Sequence, residues 1–360
     1  MTRAVFISEI PVAYRHGWFS YLREHSDVDV RVLYLAGSQS DRPWETSVSD
    51  SAWCRVLASK SLVASKTGFF PRVTMSVGRA LSREQPDFVL LPGWAHPASW
   101  QAALWCKRNN VSYGVMFENW KAQSKTSVPA KVTDRVRATV LDGAAVALPA
   151  GERAAEFAAT VTNTPVQVLH ANVADVDTAR NATVAVERSA APRVLYLGRL
   201  MPHKGIDLVL DMAASLTKSG ITVDVAGDGP SREAVEQAAK QGALEYHGTV
   251  TGDAKYELMA RSNMVIVPSF EEPWGVVVHE ALASGTPVLA SAEVGSTTEF
   301  IEAGVTGAVI AAERGSFEAT IRSWAENVTP DREACIAKAQ TVTYASVTAE
   351  FEAIVTEACP

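Results

Sequence analysis

No stretch of this 360-residue sequence strings together the roughly 18–20 apolar residues that a helix needs to cross a bilayer. Cysteine is scarce as well. Cys54, Cys106, Cys335 and Cys359 stand far apart, form no CxxC pair and have no histidine at zinc-binding spacing. That excludes a disulfide-stapled scaffold and a zinc ribbon, and reads as reduced, mostly buried thiols in a cytoplasmic protein. The opening MTRAVFISEIP has too short an apolar run for a signal peptide. Nothing recurs at a period of about 20–50 residues, which argues against a solenoid. A basic excess is missing too: the net charge of −7 disfavours non-specific nucleic-acid binding.

What is present divides in two. Residues 1–170 carry 19 Lys/Arg against 14 Asp/Glu, a balance of +5, which leaves −12 for the remainder. Such asymmetry suits two halves that meet different partners. Strand-length runs without polar alternation, AVFIS (4–8), VRVLYLA (30–36), DFVLLPG (87–93), SYGVMFE (112–118), GAAVALPA (143–150) and VQVLHAN (166–172), predict a sheet covered on both faces. Helical composition fills the gaps, as in 97–110 and 151–161. The polar stretch 174–193 reads as an interdomain linker. The alternation then restarts, with strands at 193–198, 221–229, 263–269 and 286–292 and helices at 206–220, 254–262 and 275–285. The expectation is an α/β protein with two doubly wound, Rossmann-like domains, 1–172 and 173–342, and a last helix at about 343–360 packed back onto the first.

Three segments carry candidate chemistry. GRLMPHKG (198–205) places Arg199 and Lys204 beyond the end of a parallel strand, a position that suits a diphosphate or, equally, a solvated loop. GDGPSREAV (227–235) lacks the third glycine of the dinucleotide fingerprint, Arg232 standing there, so a hydride-transferring enzyme is disfavoured and turn geometry explains Gly227 and Gly229. SFEEPWGVVVHEALASG (269–285) sets Glu272 before, and Glu280 inside, a helix that starts near Gly275. The free N–H groups and dipole of that helix start favour an anion, and carboxylates accept hydrogen bonds from sugar hydroxyls. The plain alternative is a surface helix with one side of valines and stray acids.

In order and spacing, GRLMPHKG, GDGP, HGTVTGDAKYELMARSNMVIVPS, EPWGVVVHEALASGTPVLAS and GVTGAVI resemble the carboxyl-terminal domain of family-4 retaining glycosyltransferases of the GT-B fold, over about 193–310. Glu272 and Glu280, with seven residues between them, match that family's Glu-x7-Glu motif. The resemblance implies that Arg199 and Lys204 neutralise a donor diphosphate, that Glu272 contacts the transferred sugar beside Pro273 and the amides of Trp274, Gly275 and Val276, and that Glu280 holds the ribose. It places the loop around Val250 against the nucleobase, and His16-Gly17 in a glycine-bearing loop of the first domain near the diphosphate and acceptor. Many members carry a histidine where this chain has Glu118, which leaves open whether Glu118 orients the acceptor, supports the sugar or caps its strand; His96 competes for the acceptor role. No essential metal or cofactor is implied. The DxD look-alikes, Asp27-Val28-Asp29 and Asp175-Val176-Asp177, stand at a strand start and in the linker, and are rejected as metal sites.

Two basic stretches mark the first half. Residues 55–83 hold Arg55, Lys60, Lys66, Arg72, Arg79 and Arg83 with no acid, and 119–139 hold Lys121, Lys125, Lys131, Arg135 and Arg137 against Asp134. They suit an anionic or lipid-linked acceptor at the inner face of a membrane, or are plain solvated faces; a nucleic-acid acceptor lacks an aromatic platform. The resulting expectation is a retaining, metal-independent enzyme that moves a sugar from a nucleotide diphosphate, a UDP-sugar first and GDP-mannose next, to a hydroxyl. A sugar-nucleotide epimerase of the same fold and a non-catalytic nucleotide-sugar-binding protein are the alternatives.

Overall fold

In a computed structural model of the chain, the described residues are 1–37, 51–58, 60–61, 72–74, 76–121, 130–327 and 331–359. They form two units, residues 1–172 with 344–360, and residues 173–343. Lys66 and Lys125 of the basic stretches lie outside the described residues.

The strands of the first unit are β1 (Arg3–Ser8), β2 (Asp29–Tyr34), β3 (Cys54–Val56), β4 (Lys60–Ser61), β5 (Arg72–Val73), β6 (Phe88–Leu91), β7 (Ser112–Phe117) and β8 (Val146–Pro149). Six of them make one sheet in the order β3-β2-β1-β6-β7-β8, parallel throughout, and β4 and β5 form a small antiparallel pair. Its helices are α1 (Ala13–His25), α2 (Val77–Glu84), α3 (Pro97–Asn109), α4 (Ala130–Leu141) and α5 (Glu152–Val161). The second unit follows with α6 (Val176–Thr183), β9 (Arg193–Leu197), α7 (Ile206–Lys218), β10 (Thr222–Ala226), α8 (Arg232–Lys240), β11 (Glu245–Tyr246), α9 (Gly252–Arg261), β12 (Met264–Val267), α10 (Val276–Ala283), β13 (Val288–Ser291), α11 (Thr297–Phe300), β14 (Gly307–Ile310), α12 (Arg314–Asn327) and α13 (Arg332–Ala339). Its sheet runs β11-β10-β9-β12-β13-β14, again all parallel.

The two orders are the same. In each, the chain starts at the centre, winds outward to one side, then crosses back and winds to the other. Ligands of such sheets bind outside the carboxyl ends of the strands, where the winding reverses. That point lies between β1 and β6 in the first unit and between β9 and β12 in the second.

Burial explains the continuous apolar runs. Val5, Ile7, Val89, Leu91, Val115 and Ala147 pack with helix residues such as Ala102 and Cys106 in the first core, and Val194, Tyr196, Val223, Val225 and Ile266 with Val209, Met212 and Leu216 in the second. The final helix, α14 (Tyr344–Ala358), belongs to the first unit and buries Tyr344, Val347, Phe351, Ile354 and Val355. Phe351 meets Phe6 of β1 at 4.9 Å and Trp18 of α1 at 5.9 Å between ring centroids. Fully burying such a ring contributes about 1.5–3 kcal/mol.

Two expectations need correction. Residues 166–172 are not a strand. They run extended beside β8 with one isolated bridge, Ala147 to Val166, although Gln167 and Leu169 donate backbone bonds to Ala147 and Pro149. Residues 174–193 are not all linker either. Asp175 caps α6 by accepting from the Thr178 amide at 2.9 Å, and Val176, Ala179 and Thr183 bury one helical face. Both DxD look-alikes thus have structural work: Asp175 is that cap, and Asp29 pairs with Arg3 and Arg31 at the start of β2.

Candidate functional site

In the second unit the candidate residues gather at the carboxyl rim of the sheet. β9 ends at Leu197, and the following segment carries Arg199 and a short 3-10 turn, Pro202–Lys204. The GDGP turn after β10 lies directly against it. Gly198 donates to Ala226, Leu200 to Asp228, and Ser231 to Leu200. A Cβ on Gly227, which has φ of +140°, would come within 1.8 Å of the Gly198 carbonyl oxygen, so only glycine permits this backbone approach. The Tyr196 hydroxyl donates to the Arg199 carbonyl at 2.7 Å, and burial pushes that phenol well above its usual range. The local sequence thereby fixes the backbone from which Arg199 and Lys204 extend.

β12 ends at Val267 and leads into Pro268-Ser269-Phe270-Glu271-Glu272. Phe270 and Glu271 both donate their amides to the His203 carbonyl, tying this loop to the Lys204 turn. The Lys204 ammonium sits 2.7 Å from a Glu272 carboxylate oxygen, with side chains 12% and 18% exposed. Glu272 bridges Val294 beyond β13, its amide donating to Glu293 and its carbonyl accepting from Gly295. Pro273 is half-buried and Trp274 buried, its ring edge-on to Phe300 at 6.2 Å. Gly275, at φ +91°, precedes α10; a Cβ there would stand 2.8 Å from Val294 Cγ1 and 3.1 Å from Glu272 Cγ. The first N–H groups of α10, beginning with Val276, have no acceptor within the helix.

Glu280 lies one turn into α10, and Lys255 of α9 donates to it at 2.5 Å. The Lys255 ammonium also stands 4.3 Å from the Tyr256 ring centroid. Lys255 was not singled out from sequence, because its partner is on a different helix. The loop holding Val250 joins β11 to α9; Val250 is half-buried, and the Gly248 carbonyl accepts from Gly227 at 2.7 Å, setting this loop beside the GDGP turn. Burial, reinforced by the Lys204 and Arg199 cations, lowers the His203 pKa. His279 is fully buried and serves packing: Nδ1 accepts from the Ala174 amide, Nε2 donates to the Ala339 carbonyl, and the ring stacks on Phe300 at 4.4 Å.

This rim combines two lysines paired with two acids, an arginine and an amide-rich helix start. It can neutralise a diphosphate while carboxylate oxygens accept from hydroxyls. Among the described residues, one trio could hold a metal, Asp224, Glu245 and His247. The Arg193 guanidinium donates to both of those carboxylates, so the protein's own cation fills that place.

The first unit has its own rim. Glu9, directly after β1, pairs with His96, which precedes α3 and is 1% exposed. His96 is thus a buried partner of Glu9. Glu118, directly after β7, accepts from Arg15 at 3.0 Å and from the Asn172 side chain at 2.7 Å. Arg15 also donates to Asn172 from Nη2 at 2.6 Å and Nε at 3.2 Å. His16 and Gly17 are not in a loop, contrary to expectation, because α1 starts at Ala13. The small size of Gly17 is required by Tyr344 of α14, whose hydroxyl donates to the Tyr14 carbonyl and would lie 2.7 Å from a Cβ. His16 Nδ1 bonds the Tyr34 hydroxyl at 2.6 Å, its ring stacks on Trp53 at 5.2 Å, and burial lowers its pKa.

Comparison with known proteins gives the class. Residues 179–342 match the family described as glycosyl transferases group 1. That match lies within the second unit, and the chain has the GT-B fold of solved glycosyltransferases. It is similar to the crystal structure of Anabaena HepE in complex with UDP, at a TM-score of 0.75 and 15% identity, covering 99% of this chain and 100% of that one. A sucrose-phosphate synthase from Thermosynechococcus elongatus is similar at the same TM-score of 0.75 and 15% identity, covering 99% of both chains.

Among curated proteins it is 33% identical over 125 residues to the alpha-D-kanosaminyltransferase of Streptomyces kanamyceticus, covering 33% of this chain and 32% of that protein. It is 35% identical over 161 residues to the D-inositol 3-phosphate glycosyltransferase of Mycobacterium sp. strain JLS, covering 40% of this chain and 36% of that protein. The chain spans about a third of the length of the curated relatives it matches. No helix among the described residues is long and apolar enough to cross a membrane.

Proposed function

We propose that this protein is a retaining glycosyltransferase that moves a sugar from a nucleotide diphosphate donor, a UDP-sugar before GDP-mannose, to a hydroxyl acceptor. The observation that carries the reading is the Lys204–Glu272 pair at the start of α10, set where the winding of the second sheet reverses. Lys204 and Arg199 neutralise the diphosphate as charge develops on the leaving group. The amides of Gly275 and Val276 add fixed donors, Glu272 accepts from hydroxyls of the transferred sugar, Glu280 accepts from the ribose, and the Val250 loop meets the base. The first unit, 1–172 with the last helix, takes the acceptor; 173–342 takes the donor. A relative fold solved with UDP supports the choice of base.

In the reaction, the acceptor oxygen bonds to the anomeric carbon on the face from which the diphosphate leaves. The diphosphate oxygen takes the bonding electron pair and the acceptor proton. No resident metal or cofactor enters this scheme. An anionic or lipid-linked acceptor is the substrate class that the basic stretches 55–83 and 119–139 suit, with the enzyme working in the cytoplasm at the inner membrane face. The test is product analysis with UDP-glucose, UDP-galactose and GDP-mannose: a new glycoside with the donor's anomeric configuration is expected. An inverted product removes the retaining mechanism, and a free isomerised nucleotide sugar would establish the epimerase instead.

A further inference from the structure

Arg15 has no part in the scheme above, yet its side chain is only 11% exposed and carries a full positive charge. It sits in the first turn of α1 and reaches two residues far away in sequence, Glu118 and Asn172. Asn172 is fully buried and donates to the same Glu118 oxygen that Arg15 binds, Oε1. All the described bonds of Glu118 therefore converge on one oxygen. The side chain remains 32% exposed, and its other oxygen, Oε2, takes no bond from a described residue.

An ion pair kept only for stability could be exchanged for apolar packing at little loss. A carboxylate clamped through one oxygen, with the second taking no bond from the described residues at the carboxyl rim of a parallel sheet, is suited to accept a hydrogen bond from something else.

We propose that Arg15, Glu118 and Asn172 form a hydroxyl-orienting group, in which Glu118 Oε2 accepts the hydrogen bond of the attacking hydroxyl and Arg15 and Asn172 are positioning residues. This rests on the glycosyl-transfer reading and assigns the acceptor side of it to named atoms. The bond from Oε2 fixes the direction of the acceptor oxygen's lone pairs. The new C–O bond forms as the bond to the diphosphate oxygen breaks, and the acceptor proton ends on that departing oxygen. Glu118 orients and is not consumed. Water can take the acceptor's place, which makes the group testable with the donor alone.

The experiment measures UDP release from UDP-glucose without added acceptor, together with UDP affinity by calorimetry, for Glu118→Gln, Arg15→Met, Arg15→Lys and the double variant Arg15→Met/Glu118→Gln. A charge-assisted bond supports a loss of about tenfold or more in rate at saturating donor for each of the first two. The KM for UDP-glucose and the UDP affinity are expected to stay within about twofold of wild type. Because Arg15 acts through Glu118, the double variant should turn over no more slowly than Glu118→Gln alone, and Arg15→Lys should recover part of the loss. A general structural defect would not give this pattern. If Arg15→Met does not fold, Asn172→Ser takes its place in the same comparison.

Three results overturn the proposal: wild-type turnover in Arg15→Met, losses that multiply in the double variant, or a wild type that binds UDP but releases none from UDP-glucose. If the wild type binds no UDP at all, the donor reading fails instead, and the two failures are told apart by the calorimetry.

Discussion

Glu272→Gln should separate nucleotide binding from sugar recognition in opposite directions. The Lys204 ammonium is held 2.7 Å from the Glu272 carboxylate, with both side chains mostly covered. A diphosphate arriving at the rim must draw Lys204 away from that carboxylate or share it, and must also tolerate the negative charge of Glu272. The neutral amide removes both costs. Partly exposed ion pairs contribute up to about 1 kcal/mol, and that much released competition corresponds to roughly fivefold tighter binding. UDP, which has no sugar for Glu272 to recognise, is therefore expected to bind about two- to tenfold more tightly to Glu272→Gln than to wild type. The same substitution replaces a carboxylate acceptor by a weaker carbonyl on the sugar. The loss of one charge-assisted bond, about 1.5–3 kcal/mol, predicts a fall of about ten- to 150-fold in UDP release from UDP-glucose. Calorimetric titration with UDP and a coupled UDP-release assay read the two effects on one preparation. Weaker UDP binding by more than about threefold, in a variant that melts like wild type, would refute the reasoning.

Lys255→Met leaves Glu280 without the ammonium that holds it; UDP affinity should fall about tenfold, while 2′-deoxy-UDP, which makes fewer ribose bonds, should lose less in the same titration. Gly17→Ala should lower the melting temperature by several degrees, because a Cβ 2.7 Å from the Tyr344 hydroxyl forces α1 and α14 apart; an unchanged melting curve contradicts the packing. The pKa values of His16 and His203 are lowered first by burial, so below about 6.5 the unfolded chain binds more protons than the folded one. Stability is thus fully present above that pH and lost as it falls toward the folded values. Denaturant titrations should show less stability at pH 5.5 than at pH 7, and His16→Gln/His203→Gln should flatten the difference; an equal slope in that variant removes these two histidines as its cause.

The α/β class was legible because parallel strands covered on both faces leave apolar runs, as in β1, β6, β7, β9, β12 and β13, whereas Arg31 interrupts β2 and the buried Asp224, paired with Arg193, interrupts β10. β3 and β11 are too short for such a run and gave no comparable signal. The segment 166–172 shows the reverse error: its composition is that of a strand, but apart from one isolated bridge it only runs beside β8. Helix α6 was hidden in a polar stretch although its signal was present, a capping Asp175 followed by Val176, Ala179 and Thr183 at helical spacing. The resemblance places Gly17 in a glycine-bearing loop after the first strand, whereas here it lies in α1, packed against Tyr344.

At the candidate site, residues local in sequence were readable, such as Lys204 in its turn and Glu272 and Glu280 around one helix start. Their partners were readable only in part. Lys255 reaches Glu280 from a neighbouring helix, and Arg15 meets Glu118 and Asn172 across more than a hundred residues. Such pairs are set by the order of strands in the sheet, which local pattern does not encode.

The central claim is that the carboxyl rim of the second sheet holds a nucleotide diphosphate through Lys204. Calorimetric titration of UDP into wild type and Lys204→Met tests it most directly. The account predicts saturable binding of one UDP per wild-type chain, weakened about ten- to 150-fold in the variant by loss of one charge-assisted contact. Equal affinity in the two proteins, or no binding of UDP, GDP or ADP to the wild type at millimolar concentration, would contradict it.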